Sequence, residues 1–305
     1  KKSMSNIKKI ILIFFSVSII LSYFFGFFYY ENSIGSGGYK GDLEWMWKNF
    51  EIFKNESLLQ AIKSKEFFGN RTALLYIINI YFNPFINNID TYRLSITIFS
   101  VLAPCILFLC IKERYKDLSF ETTLLFSLIL LLSPFYRTSS FWGMETQYGI
   151  ISSLISILFL FKSDKLENSS YRNIFLSILF SSATVYFDQK LIIIPIYIFI
   201  KIIFSNLNKD KKIFTVVSYI LFAIPYFLLI ILWNGIVPIA TQQSNPLQIT
   251  HLSNSKFHTV NILFTTNILG FYLFPFLILK KNIYKNIKDI GNKFNRILIL
   301  LFLIY

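Results

Sequence analysis

The feature that most constrains this chain is a series of long apolar runs, repeated from one end to the other and separated by short polar turns. A helix that crosses a bilayer needs about 20 mostly apolar residues, and several of these runs approach that length. Of the 305 residues, 54% are hydrophobic and only 15% are charged, which is not the composition of a soluble globular domain. Because backbone polar groups in lipid need internal partners, such runs favour helices. The sequence predicts an all-α fold, a polytopic transmembrane helical bundle.

The net charge of +14 comes from Lys and Arg clusters that lie between the apolar runs. This distribution is the one that cytoplasmic turns of membrane proteins show, so it predicts membrane lipids as partners and no nucleic acid. Lysines before and at the start of the first run, about 7–28, place the N-terminus in the cytoplasm. The run is longer than a signal-peptide core and has no small-residue cleavage site, so it is interpreted as an anchor.

Further spans are predicted at about 93–111, 119–135, 141–161, 173–187, 191–205, 213–233 and 259–279. The apolar run 72–86 is interrupted by Asn79, Asn83 and Pro84, and it is interpreted as a half-buried helix on the outer side. If it crossed the membrane instead, the later basic clusters would all lie outside, against the positive-inside bias. The prediction is therefore eight to nine spans.

Residues 29–92 form a long first extracytoplasmic loop, predicted to carry amphipathic helices that lie on the membrane surface through residues such as Trp45, Phe50 and Phe53. Asp42 and Glu44 are its candidate catalytic residues. Two residues apart on a helix they would diverge by about 200°, whereas in an extended turn both could face one cleft. A carboxylate there could act as general base or hold a cation beside phosphate. The structural alternative for Asp42 is a helix N-cap.

Other polar residues collect on the predicted outer face, and ionisable groups at a membrane edge favour a functional interpretation. The candidates for binding the donor phosphate or the substrate are Arg71, Arg137, Glu145, Lys190, His251 and His258. Structural alternatives stay open for most of them: Arg137 could be an interfacial arginine, Glu145 could pair with Arg137 or Lys190, and Lys190 could belong to a polar hairpin.

No metal site is predicted from spacing. His251 and His258 have no third ligand spaced to join them, and Cys105 and Cys110 are expected to be buried within one apolar run. Walker A, GxGxxG and GxSxG motifs are absent from the sequence, which weakens ATP-driven transport and serine hydrolysis as functions.

Several short motifs resemble the GT-C superfamily of integral membrane glycosyltransferases. They are Gly41-Asp-Leu-Glu44, Asn70-Arg-Thr72, Ser133-Pro-Phe-Tyr-Arg137 with Trp142-Gly-Met-Glu145, and Trp233-Asn-Gly-Ile-Val-Pro238. The loop 234–258 and the residues that follow it are similar to dolichyl-phosphate-glucose α-1,2-glucosyltransferases. The resemblance implies a single GT-C-like domain over 1–305, which we expect to be truncated at its C-terminus.

The resemblance also implies an activity. A sugar would pass from a polyprenyl-phosphate donor to a hydroxyl of a glycan, lipid or protein acceptor on the extracytoplasmic face, with inversion. Asp42 matches the essential acid of the family, and Glu44 is a second acid shifted by two positions, which leaves the use of a divalent cation (Mg²⁺ or Mn²⁺) open.

The alternative is a non-catalytic transporter or polymerase of lipid-linked saccharides. Such a protein would want charged residues along a path deep within the spans, and the apolar runs hold very few. The heavy use of Ile, Lys, Asn and Phe favours a bacterial plasma membrane as the location.

Overall fold

A computed structural model describes residues 6–32, 38–69, 72–163 and 170–244, all of which belong to one compact unit covering Lys1–Ile249. The regular elements in these ranges are all helical. The α-helices are α1 Asn6–Phe28, α2 Gly38–Asn55, α3 Leu58–Lys63, α4 Leu74–Phe82, α5 Ile89–Ser100, α6 Leu102–Arg114, α7 Phe120–Leu128, α8 Pro134–Phe141, α9 Thr146–Ser163, α10 Tyr171–Phe187, α11 Ile193–Ile203, α12 Lys209–Trp233 and α13 Ile239–Ser244. Two 3-10 helices, Ile129–Leu132 and Gln189–Leu191, follow α7 and α10.

Four stretches of the described chain are long and apolar enough to cross a membrane: Lys9–Phe28, Ile89–Arg114, Thr146–Ser163 and Lys209–Trp233. A fifth results if Phe120–Leu132 and α8, which meet at an angle of 68°, count as one broken span. The all-helical prediction is therefore confirmed, and the helices fit an integral membrane protein.

The count of eight to nine spans is not confirmed. The predicted spans 173–187 and 191–205 correspond to α10 and α11, which have 17 and 11 residues. At about 1.5 Å per residue, α11 is much shorter than the hydrocarbon core and α10 is somewhat shorter. α4 has nine residues and is also too short to cross, as the interpretation of 72–86 expected. The predicted span 259–279 lies outside the described residues.

The chain turns sharply at Ser133–Pro134, near the end of the predicted span 119–135. Ser133 has an extended backbone, and its hydroxyl accepts a hydrogen bond from the backbone N–H of Tyr136 at 3.3 Å. Pro134 then begins α8, where its missing N–H costs no helical hydrogen bond. Nearly all of α8 is buried, so a short polar helix enters the protein instead of an outer turn.

Helices α9 and α10 pack through small side chains. Gly149 and Ser153 on α9 lie against Thr184 on α10, Ser156 lies against Ser177, and all five residues are buried. The Ser177 hydroxyl donates to the carbonyl of Ser156 at 2.9 Å. Small residues let helix backbones approach closely in lipid, and this contact is the most extensive between any two helices of the described chain.

The main core joins helices α2 and α4 to the longer helices of the bundle. α2 contributes Leu43, Met46 and Phe50, which pack with Tyr76 of α4 and Tyr92 of α5. A smaller core, formed by Leu160, Ile174, Ile178, Ile198 and Ile202, lies between α9, α10 and α11. Helices α2 and α4 are thus packed onto the bundle itself.

Candidate functional site

The two candidate catalytic acids lie on α2. Asp42 and Glu44 are both exposed, and both are inside the helix. Of the two conformations considered for this segment, the structure therefore has the helix and not the extended turn. Because the directions of side chains two residues apart on a helix differ by about 200°, the two carboxylates point to different sides. Asp42 is not an N-cap either, because α2 begins at Gly38.

The helix is favoured here because α2 has an apolar face with helical spacing. Leu43, Met46, Phe50 and Phe53 are each 5% exposed or less. Burial of Phe50 and Phe53 corrects the prediction that they lie on the membrane surface, although Trp45 does stay 60% exposed. A helix that is packed along one face holds its exposed residues in fixed positions.

Asn49 of α2 strengthens this attachment. It is buried, its amide donates to the Phe68 carbonyl at 2.7 Å and to the Tyr76 hydroxyl at 2.9 Å, and its oxygen accepts from the Phe68 N–H at 3.2 Å. Sequence reasoning missed Asn49, although a lone amide on an apolar helix face is a recognisable signal.

A large apolar cavity lies between α4, α6, α9, α10 and α12. Its volume is about 860 Å³. Most of its wall is aliphatic or aromatic, and the polar residues on the wall are Thr72, Tyr148, Ser152, Ser182 and Tyr186. A cavity of this size and composition accepts a long apolar group.

Two buried carboxylates lie close along the chain to residues of the cavity wall. Asp188 directly follows the wall residue Phe187 and is 7% exposed. Its carboxylate accepts from the Thr146 hydroxyl at 3.1 Å and from the Lys190 N–H at 3.0 Å. Glu145, next to Thr146, is 2% exposed. The Thr146–Asp188 hydrogen bond therefore joins the two turns that carry these buried carboxylates.

Arg137 is buried in the protein. The sequence had predicted an outer turn at this position. Its guanidinium forms a bidentate contact with Glu31, with Nη2 2.6 Å and Nε 2.9 Å from the carboxylate oxygens. Nη1 and Nη2 also donate to the side chain and carbonyl of Ser22, at 3.0 and 2.9 Å. The carboxylate that Arg137 pairs with is thus Glu31, so of the two partners left open for Glu145 the structure does not support Arg137.

Arg93 is a second buried arginine. From the sequence it was predicted only as the first residue of the span 93–111. It is 3% exposed, its Nε donates to the Phe141 carbonyl at 2.9 Å, and its Nη1 contacts Asp90 at 3.2 Å. The guanidinium carbon lies 4.1 Å from the Trp142 ring centre and 4.8 Å from that of Tyr30. Such stacking on aromatic faces stabilises a buried cation.

The remaining candidates are placed as follows. Lys190 is exposed, and its side chain lies at the surface beside the Asp188 turn. Arg71, His251 and His258 lie outside the described residues. Cys105 is exposed and Cys110 is buried, so the expectation of burial is wrong for Cys105.

The first-loop acids do not form a joint cation site, because Asp42 and Glu44 diverge on α2. Within the described ranges, no group of three or more His, Cys, Asp or Glu side chains is arranged to hold a metal ion. The use of a divalent cation stays a prediction.

The fold and the buried polar groups define a class: an all-helical chain with several helices that can cross a membrane, an apolar cavity among them and several buried charged groups. Comparisons with protein-family models, with curated proteins and with solved structures gave no match. The GT-C resemblance therefore stays a hypothesis based on the motifs alone.

Proposed function

We propose that this protein is a membrane glycosyltransferase, which transfers a sugar from a polyprenyl-phosphate donor to an acceptor hydroxyl on the extracytoplasmic face. The observation that supports this proposal best is the apolar cavity of about 860 Å³, together with the buried carboxylates Asp188 and Glu145, which lie one and three residues along the chain from the wall residues Phe187 and Tyr148. A lipid-linked sugar needs both an apolar surface for its chain and polar groups at its phosphate and sugar.

In this proposal the donor's lipid chain lies against the cavity wall. Ile77, Phe187 and Leu228 belong to that wall and come from three different helices. The sugar and phosphate would lie beyond the wall residues Tyr148 and Phe187, toward the buried Asp188 and Glu145. Carboxylates beside a pyranose accept hydrogen bonds from its hydroxyls, and cationic contacts to the phosphate would come from Arg71 or Lys190.

Asp42 is proposed as the general base. It is exposed, so an acceptor hydroxyl reaches it from water, and its helix packs against α4, whose Leu74, Ile77 and Ile78 line the cavity. Removal of the acceptor proton would accompany attack on the anomeric carbon, the phosphate would leave, and the configuration would invert. Glu44 is a second acid of the same helix with its carboxylate on another side.

The test is sugar transfer from a panel of radiolabelled polyprenyl-phosphate sugars, measured in membranes that contain the whole chain. For Asp42→Asn we expect transfer to fall by about 100-fold or more, since general-base catalysis contributes roughly that much. Glu51→Gln is the matched control, because Glu51 is an exposed acid of the same helix. It should leave transfer unchanged at equal expression.

Three results would change the proposal. Equal transfer by Asp42→Asn and wild type would move the base to Glu44 or Glu145. Loss of transfer in Glu51→Gln as well would indicate that α2 is disturbed as a whole. The absence of transfer by the wild type with every donor would refute the enzyme and support the transporter or polymerase.

A further inference from the structure

Helix α12 contains a proline in its interior. Pro225 has no N–H, so it cannot donate to the carbonyl of Leu221, and its ring crowds the preceding turn. Within a membrane such a break is tolerated where neighbouring groups satisfy the freed backbone atoms. The position therefore marks the weakest point in the hydrogen bonding of this helix.

A side chain from α10 lies at this point. The Tyr186 hydroxyl donates to the carbonyl of Phe222 at 2.6 Å and accepts from the N–H of Tyr226 at 3.1 Å. In a regular helix these two backbone groups bond to each other, since they are four residues apart. One hydroxyl thus bridges the turn that contains Pro225, and insertion of a side chain into the helical ladder is a known cause of bending.

The two halves of α12 are anchored to different parts of the protein. In the first half, the Tyr219 hydroxyl contacts Ser181 at 2.9 Å and donates to the Pro195 carbonyl at 3.2 Å, which ties it to α10 and the start of α11. In the second half, Trp233 is buried and its indole N–H donates to the Ile62 carbonyl of α3 at 2.9 Å. A bend at Pro225 would move these two anchor groups relative to each other.

The same residues separate two cavities. Besides the large cavity, a cleft of about 360 Å³ lies between α10, α11 and α12. Ser182, Tyr186 and Phe222 line both spaces, and the wall on the α12 side includes Pro225 in the large cavity and Tyr226 in the cleft. The bridged turn is therefore part of the partition between them.

We propose that Pro225 is a hinge in α12, that the Tyr186 hydroxyl holds this hinge closed, and that its release joins the cleft and the large cavity into one path for a lipid chain. The path is apolar over most of its wall, so it suits an isoprenoid chain. That occupant rests on the proposed function, whereas the hinge itself does not.

The hinge is tested without any ligand. Amide hydrogen exchange of residues 222–230 is measured on the full chain in lipid nanodiscs for wild type, Tyr186→Phe and Tyr197→Phe. Loss of the bridging hydroxyl should accelerate exchange there by about five- to ten-fold, the factor expected for one lost hydrogen-bond partner. Tyr197 is the matched control, since it is an exposed tyrosine of α11 that lines neither cavity. Equal exchange in wild type and Tyr186→Phe, or equal acceleration in Tyr197→Phe, would overturn the hinge.

Pro225→Ala is expected to change the exchange rate in the opposite direction, and this variant keeps the Tyr186 hydroxyl. It restores a backbone N–H and a good helix former, so exchange in the same segment should slow. Faster exchange in Pro225→Ala would contradict the hinge even if Tyr186→Phe did not fold.

The path is tested with a fluorescent polyprenyl phosphate, whose release from the wild type and from Tyr186→Phe is followed after dilution into unlabelled lipid. Release of the probe should be about five- to ten-fold faster from Tyr186→Phe, since the group that holds the hinge closed is the same Tyr186 hydroxyl. Unchanged release together with accelerated exchange would overturn the path and retain the hinge. Failure of the wild type to bind the probe would refute the path's occupant and the proposed donor, and the hinge would then be judged by exchange alone.

Discussion

Arg137 has a structural role in the fold, although its sequence context indicated a role in binding. Its side chain is 10% exposed and that of Glu31 is 32% exposed, so the charges neutralise each other at the boundary of the protein interior. Five hydrogen bonds to Glu31 and Ser22, two of them shared by Nε, use most of the guanidinium N–H groups. A phosphate would have to displace Glu31, so we infer that Arg137 mainly joins α1 to α8.

Arg137→Lys tests this role. A lysine keeps the charge but loses the planar bidentate contact, and hydrogen bonds between charged groups contribute about 1.5–3 kcal/mol each. We expect a lower midpoint of thermal unfolding in detergent. Arg172→Lys, at an exposed arginine of α10, is the control and should leave the midpoint unchanged. Equal midpoints for the two variants would show that the Glu31 pair does not stabilise the fold.

Gly26 makes the same contact possible. A methyl group at this position would collide with Nη2 of Arg137 and Oε2 of Glu31, and would press on the Phe141 ring. At Gly41, by contrast, an added methyl group meets nothing within 4 Å.

The two glycines therefore predict opposite effects of the same substitution. Gly26→Ala should lower stability by about 1–3 kcal/mol through overpacking, whereas Gly41→Ala should raise it by about 0.5–1 kcal/mol because alanine favours a helix. Unfolding in a series of denaturant concentrations measures both. A neutral Gly26→Ala would mean that the ion pair moves aside without cost.

At the scale of elements, the α9–α10 contact depends on side-chain size. Ser156 and Ser177 are fully buried, and the hydrogen bond between them leaves no room for a larger group. Helices in lipid gain little from the hydrophobic effect between them, so close packing and such hydrogen bonds carry the association.

Ser177→Leu is expected to separate these helices and to reduce the fraction of folded protein by size-exclusion chromatography, since overpacking of this kind costs about 1–3 kcal/mol or more. Ser18→Leu, on the outer surface of α1, makes the same chemical change where lipid is the neighbour and should be tolerated. Comparable losses in both variants would point to an effect of leucine on insertion instead of packing.

The short helix α8 is the element that was predicted least accurately from the sequence. Its polar residues read as an outer turn, yet Thr138 and Ser140 are fully buried. The Ser140 hydroxyl accepts from Tyr23 at 2.6 Å, and its carbonyl accepts from Thr97 at 3.2 Å. Polarity alone therefore does not distinguish a surface turn from a helix whose polar groups find partners inside.

At the scale of the whole molecule, the distribution of basic residues predicts which side of the membrane each turn faces. The prediction is tested with single cysteines in a background that lacks Cys105 and Cys110. Glu51→Cys should react with a membrane-impermeant thiol reagent added to intact cells, because the first loop is expected outside. Arg114→Cys, at the exposed end of α6, should react only after the membrane is opened. The reverse pattern would invert the topology and move Asp42 to the cytoplasm.

The apolar runs determined by themselves that the chain is helical. The reason is local, because every backbone polar group in lipid needs a partner and a helix supplies it within one segment. The same runs located α1, α9 and α12 closely, and the spacing in α4 indicated an outer helix too short to cross. Asp42 and Glu44 were identified as candidates from the sequence. The extended turn considered for them does not form, because burial of Leu43 and Met46 favours a helix.

Only the tertiary structure decided which residues meet. Glu31 and Arg137 are 106 positions apart, and Tyr186 contacts a turn of α12 that lies 36 to 40 residues further along. Helical periodicity fixes the type of an element, but it contains no information on which element will lie beside it. The packing of the helices selected those partners, because close packing of whole helices allows few arrangements and a buried charge is stable only where a partner is within reach.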